Sequence, residues 1–251
     1  LVSLVNMAEQ GGSLPRWPMG HGYSNSMLGS PADMVIAESY LKGIRDFDVE
    51  LAYKYMKKTA LGPLPKNTRA SGRRGISGYL EYGYCPTEFG DRAVSQTLEY
   101  AWADHSISLL AKELGHDKDF QLFTEHSKYY KNVWNNDTQY FQARKIDGSF
   151  VTAFNPLKLS YFDSDGKYTK DYVEGSALQW RWAVPFDPEG LISLFKSNDY
   201  FVNELNIFFA KTDPKMATWT PGSYYWHGNQ PDIHAAYLFN EAGRPNQTQK
   251  W

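Results

Sequence analysis

One uninterrupted helical pattern constrains this chain more than any other feature of its sequence. It runs from Asp91 to Leu114, and apolar residues recur in it at spacings of three to five residues. Such a stripe is typical of an amphipathic α-helix. Asp91 is a candidate N-cap, and Gly115 is a candidate glycine just beyond the C-terminus. The spacing therefore predicts one long helix with a buried face.

Other helical patterns follow one another along the chain, separated by loops rich in Gly, Pro and Asn. We predict that they begin at Pro31, Asp48, Asp117, Gly175, Pro188, Asn198 and Pro231. Only two short stretches, from Gly78 and from Tyr140, indicate strands. Successive helices without βαβ alternation predict an all-α array of helical hairpins, with short β pieces in its loops.

Composition excludes several classes of protein. The 251 residues carry a net charge of -2 and contain no run of Lys and Arg, which argues against a nucleic-acid partner. No apolar run is long enough to predict a membrane span, and the segment from Leu1 has no signal-peptide pattern. The single cysteine, Cys85, excludes an internal disulfide. Aromatic residues reach 16%, which suits either sugar stacking or a large helical core.

Glu174 is a candidate catalytic carboxylate. It lies in the sequence "DYVEGSALQWRW", at a predicted helix start and close to three aromatic residues. Spacing alone favours a carboxylate that interacts with the helix dipole. The alternative is a general acid, which would need aromatic burial or a second carboxylate to hold its proton.

The sequence "HGNQP" contains candidate metal ligands. Asn229 and Gln230 offer amide oxygens, which suit a hard cation such as calcium, and His227 comes two residues earlier. An Asx-type turn before a helix at Pro231 explains the same residues without a metal. His234, on the apolar run that follows, is typical of a hydrogen-bonded core histidine.

Four further residues have two interpretations each. Glu99 and Asp104 interrupt the apolar pattern of the long helix, so they either face solvent or line a site. Arg16 and Trp17 in "LPRWP" either clamp a sugar or cap the core.

Seven blocks in collinear order resemble glycoside hydrolase family 92, the calcium-dependent exo-acting α-mannosidases. They include "LPRWP", "SMLG", "GYCP", "VSQTLEYAWADHSISLLAKELG", "YVEGSALQWRWAVPFDPEGLI" and "HGNQPDIHAAYLFNEAGRPNQTQ". The resemblance implies that residues 1–251 are part of an (α/α)6 toroid catalytic domain, without the family's N-terminal β-sandwich domain or the C-terminal end of the toroid. It also implies an exported bacterial enzyme acting on mannose-containing glycans.

The resemblance also assigns roles to residues. Glu174 matches the general acid, and Asn229 and Gln230 match the turn that helps to bind Ca²⁺, which holds O2 and O3 of the terminal mannose. Gln230 stands where an acid is common, so we expect weak calcium binding. The residues expected to contact substrate are Arg16, Trp17, Glu99, Asp104, Trp226 and His227, with Tyr224 and Tyr225 completing an aromatic wall.

Three departures qualify these assignments. Ser30 and Pro31 stand where relatives often carry an acid, and Gly228 stands where the resemblance implies a Glu in α-1,2-specific members. The family's Gly-rich acidic motif, which carries the general base of this inverting reaction, has no counterpart before Trp251. We therefore expect the 251-residue fragment alone to be inactive. Two alternatives stay open: another α/α-toroid glycoside hydrolase, or a non-catalytic carbohydrate-binding protein.

Overall fold

Helices make up most of the regular structure in the computed structural model, which describes residues 1–20, 22–159, 170–213 and 222–251. The chain divides into two compact units, which are described separately below. The first comprises Leu1–Gly90 and Gln96–Asn132, and the second comprises Asp91–Ser95 and Val133–Trp251. The mostly helical class predicted from the sequence is confirmed.

The α-helices of the described residues are joined by connections of very different length. They are α1 (Val2–Gly11), α2 (Pro31–Leu41), α3 (Val49–Ala60), α4 (Ile76–Tyr82), α5 (Ala93–Glu113), α6 (Asp117–His126), α7 (Ala177–Trp180), α8 (Pro188–Leu194), α9 (Asn198–Ala210), α10 (Leu238–Glu241) and α11 (Pro245–Lys250). Single 3₁₀ turns span Thr87–Phe89, Tyr129–Val133, Gln230–Asp232 and Ala235–Tyr237.

Two antiparallel hairpins are the only strand pairs among the described residues. Strands β1 (Pro18–Met19) and β2 (Gly22–Tyr23) form one, and β3 (Trp134–Asn135) and β4 (Tyr140–Phe141) form the other. The second hairpin confirms the strand predicted from Tyr140. No described helix is both long and apolar enough to cross a membrane.

The long predicted helix is present as α5, with different ends. Arg92 has a φ of 69°, in the left-handed region, so the helix begins at Ala93 and Asp91 does not cap it. Gly115 has a φ of 76°. The amides of Gly115 and His116 donate to the carbonyls of Lys112 and Ala111. This pair of bonds is the Schellman motif, which confirms the predicted C-terminal glycine.

Three other predictions were wrong in part. The stretch from Gly78 is helix α4, because Tyr79 is fully buried and its hydroxyl bonds Asp104 and the carbonyl of His126. The helix from Gly175 is reduced to α7. The run from Pro231 forms 3₁₀ turns before α10, in which the amides of Ile233 and Tyr237 donate to the carbonyls of Gln230 and His234, three residues back.

Aromatic residues fill much of the core of the second unit. Trp182 is fully buried and stacks on Phe195 with ring centroids 5.6 Å apart. The buried guanidinium of Arg181 lies 4.3 Å from the ring centroid of Tyr140 and pairs with Glu204 at 2.6 Å. The high aromatic content is therefore explained in part by packing.

A buried ion network lies in the first unit. Arg73 donates to Asp104 at 2.6 Å and to Asp33 at 3.2 Å, and all three side chains are almost completely buried. Burial raises the pKa of Asp33 to about 6 even though Arg73 opposes the shift. Each charge is tolerated because its partner is present.

Asp104→Ala is expected to lower the free energy of unfolding by about 3–5 kcal/mol, because it leaves Arg73 with one fewer buried counter-charge. Urea denaturation of the full-length protein measures this. Glu38→Ala, which removes one side of an exposed pair with Lys42, is the control and should cost less than about 1 kcal/mol. Equal losses of unfolding free energy in the two variants would contradict a stabilising role for the buried Arg73–Asp104 pair.

Candidate active site

Glu174 lies in a tightly held turn, residues 171–176, which we call the acid turn. Its φ is 46°, a left-handed value that L-residues seldom adopt. The amide of Val173 donates to Ser95 Oγ at 3.0 Å, and the carbonyl of Val173 accepts from Trp180 Nε1 at 2.8 Å. These two bonds fix the backbone of the turn. Among the described residues, no hydrogen bond or ion pair to the carboxylate of Glu174 is found.

The acid turn leads directly into α7. Ser176 caps this helix by accepting from the amide of Gln179 at 3.1 Å. The Gln179 side chain accepts in return from the amide of Ser176 at 2.9 Å. This reciprocal pair is a capping box, which stabilises the start of the short helix.

The turn formed by residues 227–232, the amide turn, contacts the acid turn. Asn229 is buried, and its side-chain amide donates to the backbone carbonyl of Glu174. Its side-chain oxygen accepts from the amide of Gln230 at 3.0 Å. The structure therefore brings the predicted acid and the predicted amide turn together. The Asn229 side chain bonds the amide of the next residue and not the amide two residues on, so the turn is not the Asx type.

Asp232 is a candidate functional residue that sequence reasoning missed. It is fully buried; one carboxylate oxygen accepts from the amide of Trp226 at 3.0 Å, and the other has no partner among the described residues. Burial raises the pKa of Asp232 well above its ordinary value. The signal in the sequence was an acid directly after Pro231, on a run otherwise apolar.

The aromatic segment, residues 222–226, precedes the amide turn. Tyr224 and Trp226 are half-buried, and His227 is exposed. The hydroxyl of Tyr225 lies 2.5 Å from His227 Nδ1. A Cβ added to Gly228 would lie 2.6 Å from the indole of Trp226, so the glycine leaves room for that ring. His234, by contrast, bonds the carbonyl of Trp182 at 2.7 Å, as expected of a core histidine.

The other four predicted substrate contacts lie in the first unit. Arg16 is buried and donates to the carbonyls of Ser26 and Gly72 at 2.9 and 2.8 Å, whereas Trp17 is 44% exposed. Asp104 belongs to the buried ion network, and Glu99 is half-buried. Arg16 and Asp104 are thus engaged by protein partners.

Glu99 is chemically distinct from Asp104, although both lie on α5. No hydrogen bond or ion pair to its carboxylate is found among the described residues, and burial raises its pKa to about 7. A Cβ on Gly29, whose φ is 78°, would lie 2.5 Å from Glu99 Oε2. The carboxylate therefore occupies the space that a side chain at position 29 would need.

The amide turn carries oxygen atoms of the types that a hard cation takes as ligands. The described residues contain no group of three or more His, Cys, Asp or Glu side chains arranged to hold a metal. However, one buried oxygen of Asp232 has no hydrogen-bond partner among the described residues. A bound cation would give that oxygen a partner. Asn229 and Gln230, three and two residues earlier in the chain, have amide oxygens of the type that calcium accepts.

The comparisons with known proteins identify the family. The family model of the glycosyl hydrolase family 92 catalytic domain matches residues 1–251, so the chain belongs to this family. A family 92 α-mannosidase from Bacteroides thetaiotaomicron, solved in complex with mannoimidazole, is 31% identical with a TM-score of 0.87. The match covers 99% of this chain and 32% of that one.

Two further relatives agree with this assignment. A family 92 inverting mannosidase from the same organism is 26% identical with a TM-score of 0.84, over 98% of this chain and 34% of that one. An uncharacterized secreted glycosidase from Arthroderma benhamiae is 28% identical, over 96% of this chain and 33% of the relative. The chain therefore spans about a third of the length of these relatives.

Glu99→Gln is expected to raise the Tm more at pH 8 than at pH 4. Between its ordinary pKa of 4.5 and about 7, the folded state binds more protons at Glu99 than the unfolded state does. Stability from this group therefore falls as pH rises through that window, and the neutral amide removes the loss. Thermal unfolding at constant ionic strength measures the difference.

The control for this prediction is Glu113→Gln, an exposed acid on the same helix that pairs with Arg45. It should give no gain in Tm that grows with pH. A Tm difference between Glu99→Gln and the wild type that is the same at pH 4 and pH 8 would contradict the prediction.

Proposed function

We propose that the protein carrying this chain is a calcium-dependent, inverting exo-α-mannosidase that hydrolyses terminal α-linked mannose from glycans. Membership of family 92 supports a glycosidase, and the similar structures include an α-mannosidase with bound mannoimidazole and an inverting mannosidase. The observation that carries the proposal is the hydrogen bond from Asn229 to the carbonyl of Glu174. It joins the acid turn to the turn proposed to bind the metal.

Glu174 acts in this proposal as the general acid that protonates the departing glycosidic oxygen. The rigid acid turn fixes its Cα, and the carboxylate is not consumed by an ion pair with the described residues. In an inverting reaction a second carboxylate activates water on the opposite face of the sugar, about 6.5–9.5 Å from the acid. We assign no residue of this chain as that base.

The proposed calcium ligands come from the amide turn. Asn229 and Gln230 would supply amide oxygens. Asp232, whose proton a bound cation would displace, would supply the only negative charge of the three. When bound, the cation would polarise and hold the sugar hydroxyls. Because Gln230 is neutral, the site would carry less charge than one with an acid at that position, and calcium affinity depends on that charge.

The remaining predicted contacts divide into two groups. We propose that Trp226 and His227, in the second unit, contact the sugar; the same role for Trp17 and Glu99, in the first unit, stays a prediction from the sequence. Arg16 and Asp104 instead hold the loops and helices around them, since their polar atoms already have protein partners. We also propose that the helices form an incomplete (α/α)6 toroid and that the protein is exported; the fungal relative's description as secreted supports export.

Glu174→Gln in the full-length protein should lower kcat for a methyl α-mannoside by roughly 10²- to 10⁴-fold, because an amide cannot deliver a proton. Hydrolysis of a dinitrophenyl α-mannoside, whose leaving group needs no proton, should be largely retained. Mannose release by a coupled assay and dinitrophenolate absorbance measure the two rates.

The exposed Glu189, in the first turn of α8, provides the control variant Glu189→Gln, which should match the wild type on both substrates. The corresponding α-glucosides should be poor substrates, because glucose lacks the axial O2. Wild-type turnover of the methyl mannoside by Glu174→Gln would rule out its catalytic role. Absence of any turnover by the wild type would favour a carbohydrate-binding protein.

Calcium should bind the full-length protein with a Kd of about 1 µM or weaker, and Gln230→Glu should tighten it, because the substitution adds a ligand charge. Isothermal titration measures both values. Gln249→Glu, which adds the same charge at an exposed position, is the control and should leave the Kd unchanged. Submicromolar binding by the wild type, or no change with Gln230→Glu, would contradict the proposed ligand set.

A further inference from the structure

Gln179 links two segments that are distant in sequence. It is fully buried, and its side-chain nitrogen donates to the carbonyl of Gly222 at 3.0 Å and to that of Tyr224 at 2.8 Å. Its side-chain oxygen accepts from the amide of Ser176 at 2.9 Å. A primary amide has two N–H donors, so both are used, and both reach the aromatic segment.

A second bond runs parallel to this link. Ser176 Oγ donates to the carbonyl of Ser223 at 2.8 Å, between the two carbonyls that Gln179 engages. Three consecutive carbonyls of the aromatic segment, at positions 222, 223 and 224, are thus held by two side chains of the α7 capping box. The connection is a small rigid network and not a single contact.

This network continues into the acid turn. Ser176 lies two residues after Glu174, and a Cβ added to Gly175 would lie 2.8 Å from Gln179 Oε1. The absence of a side chain at position 175 therefore allows Gln179 to approach the turn. On the other side, Tyr224 lies two residues before Trp226 and five before Asn229, whose side chain bonds the carbonyl of Glu174.

Only a glutamine satisfies this arrangement at position 179. A glutamate of the same shape would place a carboxylate oxygen against two carbonyl oxygens, which leaves those acceptors without donors and adds repulsion. A shorter or apolar side chain would leave the same half-buried carbonyls without this donor. The hydrogen bonds therefore depend on the amide nitrogen and on a side chain long enough to reach both carbonyls.

We propose that Gln179 is a positioning residue for Glu174: it locks the acid turn against the aromatic segment, so that the acid and the amide turn hold one geometry. The inference rests on the proposed function, because it concerns the orientation of the general acid. A misplacement of about 1 Å at a reacting group can cost about 10²-fold in rate, so loss of this lock should act mainly on kcat.

The test compares Gln179→Glu with a matched variant, Gln142→Glu, in the full-length protein. Gln142 is also buried, and its side-chain nitrogen also donates to a backbone carbonyl, that of Val151 at 2.6 Å. Its oxygen accepts from Asn135 at 2.9 Å. Gln142→Glu therefore imposes a structural cost of the same kind in the same unit, at one carbonyl instead of two, and no bond from Gln142 to the acid turn or the aromatic segment is found among the described residues.

Gln179→Glu should lower kcat for a methyl α-mannoside by roughly 10- to 10²-fold with little change in KM. It should leave hydrolysis of a dinitrophenyl α-mannoside nearly unchanged, because that step needs no proton donor. Gln142→Glu should lower the Tm but keep the wild-type ratio of the two rates. This dependence on the leaving group separates misplacement of the acid from a general loss of folded protein.

The proposal would be overturned if the ratio of the methyl mannoside rate to the dinitrophenyl mannoside rate were equal in Gln179→Glu, Gln142→Glu and the wild type. Glu174→Gln, measured in the same series, reports on the proposed function independently: a wild-type ratio in that variant removes the acid role itself. If Gln179→Glu does not fold, Ser176→Ala replaces it, since it removes only the bond to Ser223 and one cap. A smaller fall in the methyl mannoside rate relative to the dinitrophenyl mannoside rate in Ser176→Ala supports the proposal. A lowered Tm with an unchanged ratio of the two rates overturns it.

Discussion

The acid turn depends on a backbone conformation that the surrounding structure must impose. The left-handed φ of Glu174 costs on the order of 1–3 kcal/mol, so it persists only where neighbouring contacts determine it. Ser95, Trp180 and Asn229 supply those contacts by bonding the backbone at positions 173 and 174. The hydrogen bonds found among the described residues hold the backbone of this turn and not the Glu174 carboxylate, so a fixed backbone and an unpaired acid group occur at one residue.

Periodicity predicted the long helices because their local signals agree with their packing. Helix α9 begins at the predicted Asn198, and the predicted Gly115, just beyond the last residue of α5, forms the Schellman motif that terminates it. The stretch from Gly78 contains several tyrosines, which favour strands, but burial of Tyr79 against Asp104 outweighs that preference. Local propensity could not reveal a contact between residues 25 positions apart.

The candidate site was predicted in outline from the resemblance, and the structure adds the residues that hold it. Glu174 and Asn229 were named from their motifs, and their contact required coordinates. Gln179 and Asp232 gave little signal, because each looks like an ordinary polar residue within an apolar run. Spacing does not encode the features that single them out. The Gln179 side chain bonds carbonyls 43 and 45 positions away, and Asp232 is completely buried.

The close approach of Gly228 to Trp226 has an evolutionary consequence. Any side chain introduced at position 228 would meet the indole at 2.6 Å, so the aromatic ring would have to move or be replaced at the same time. A side chain gained at position 228 therefore requires the indole at position 226 either to rotate away or to be replaced by a smaller side chain. Where replacement is the route taken, positions 226 and 228 would vary together among relatives.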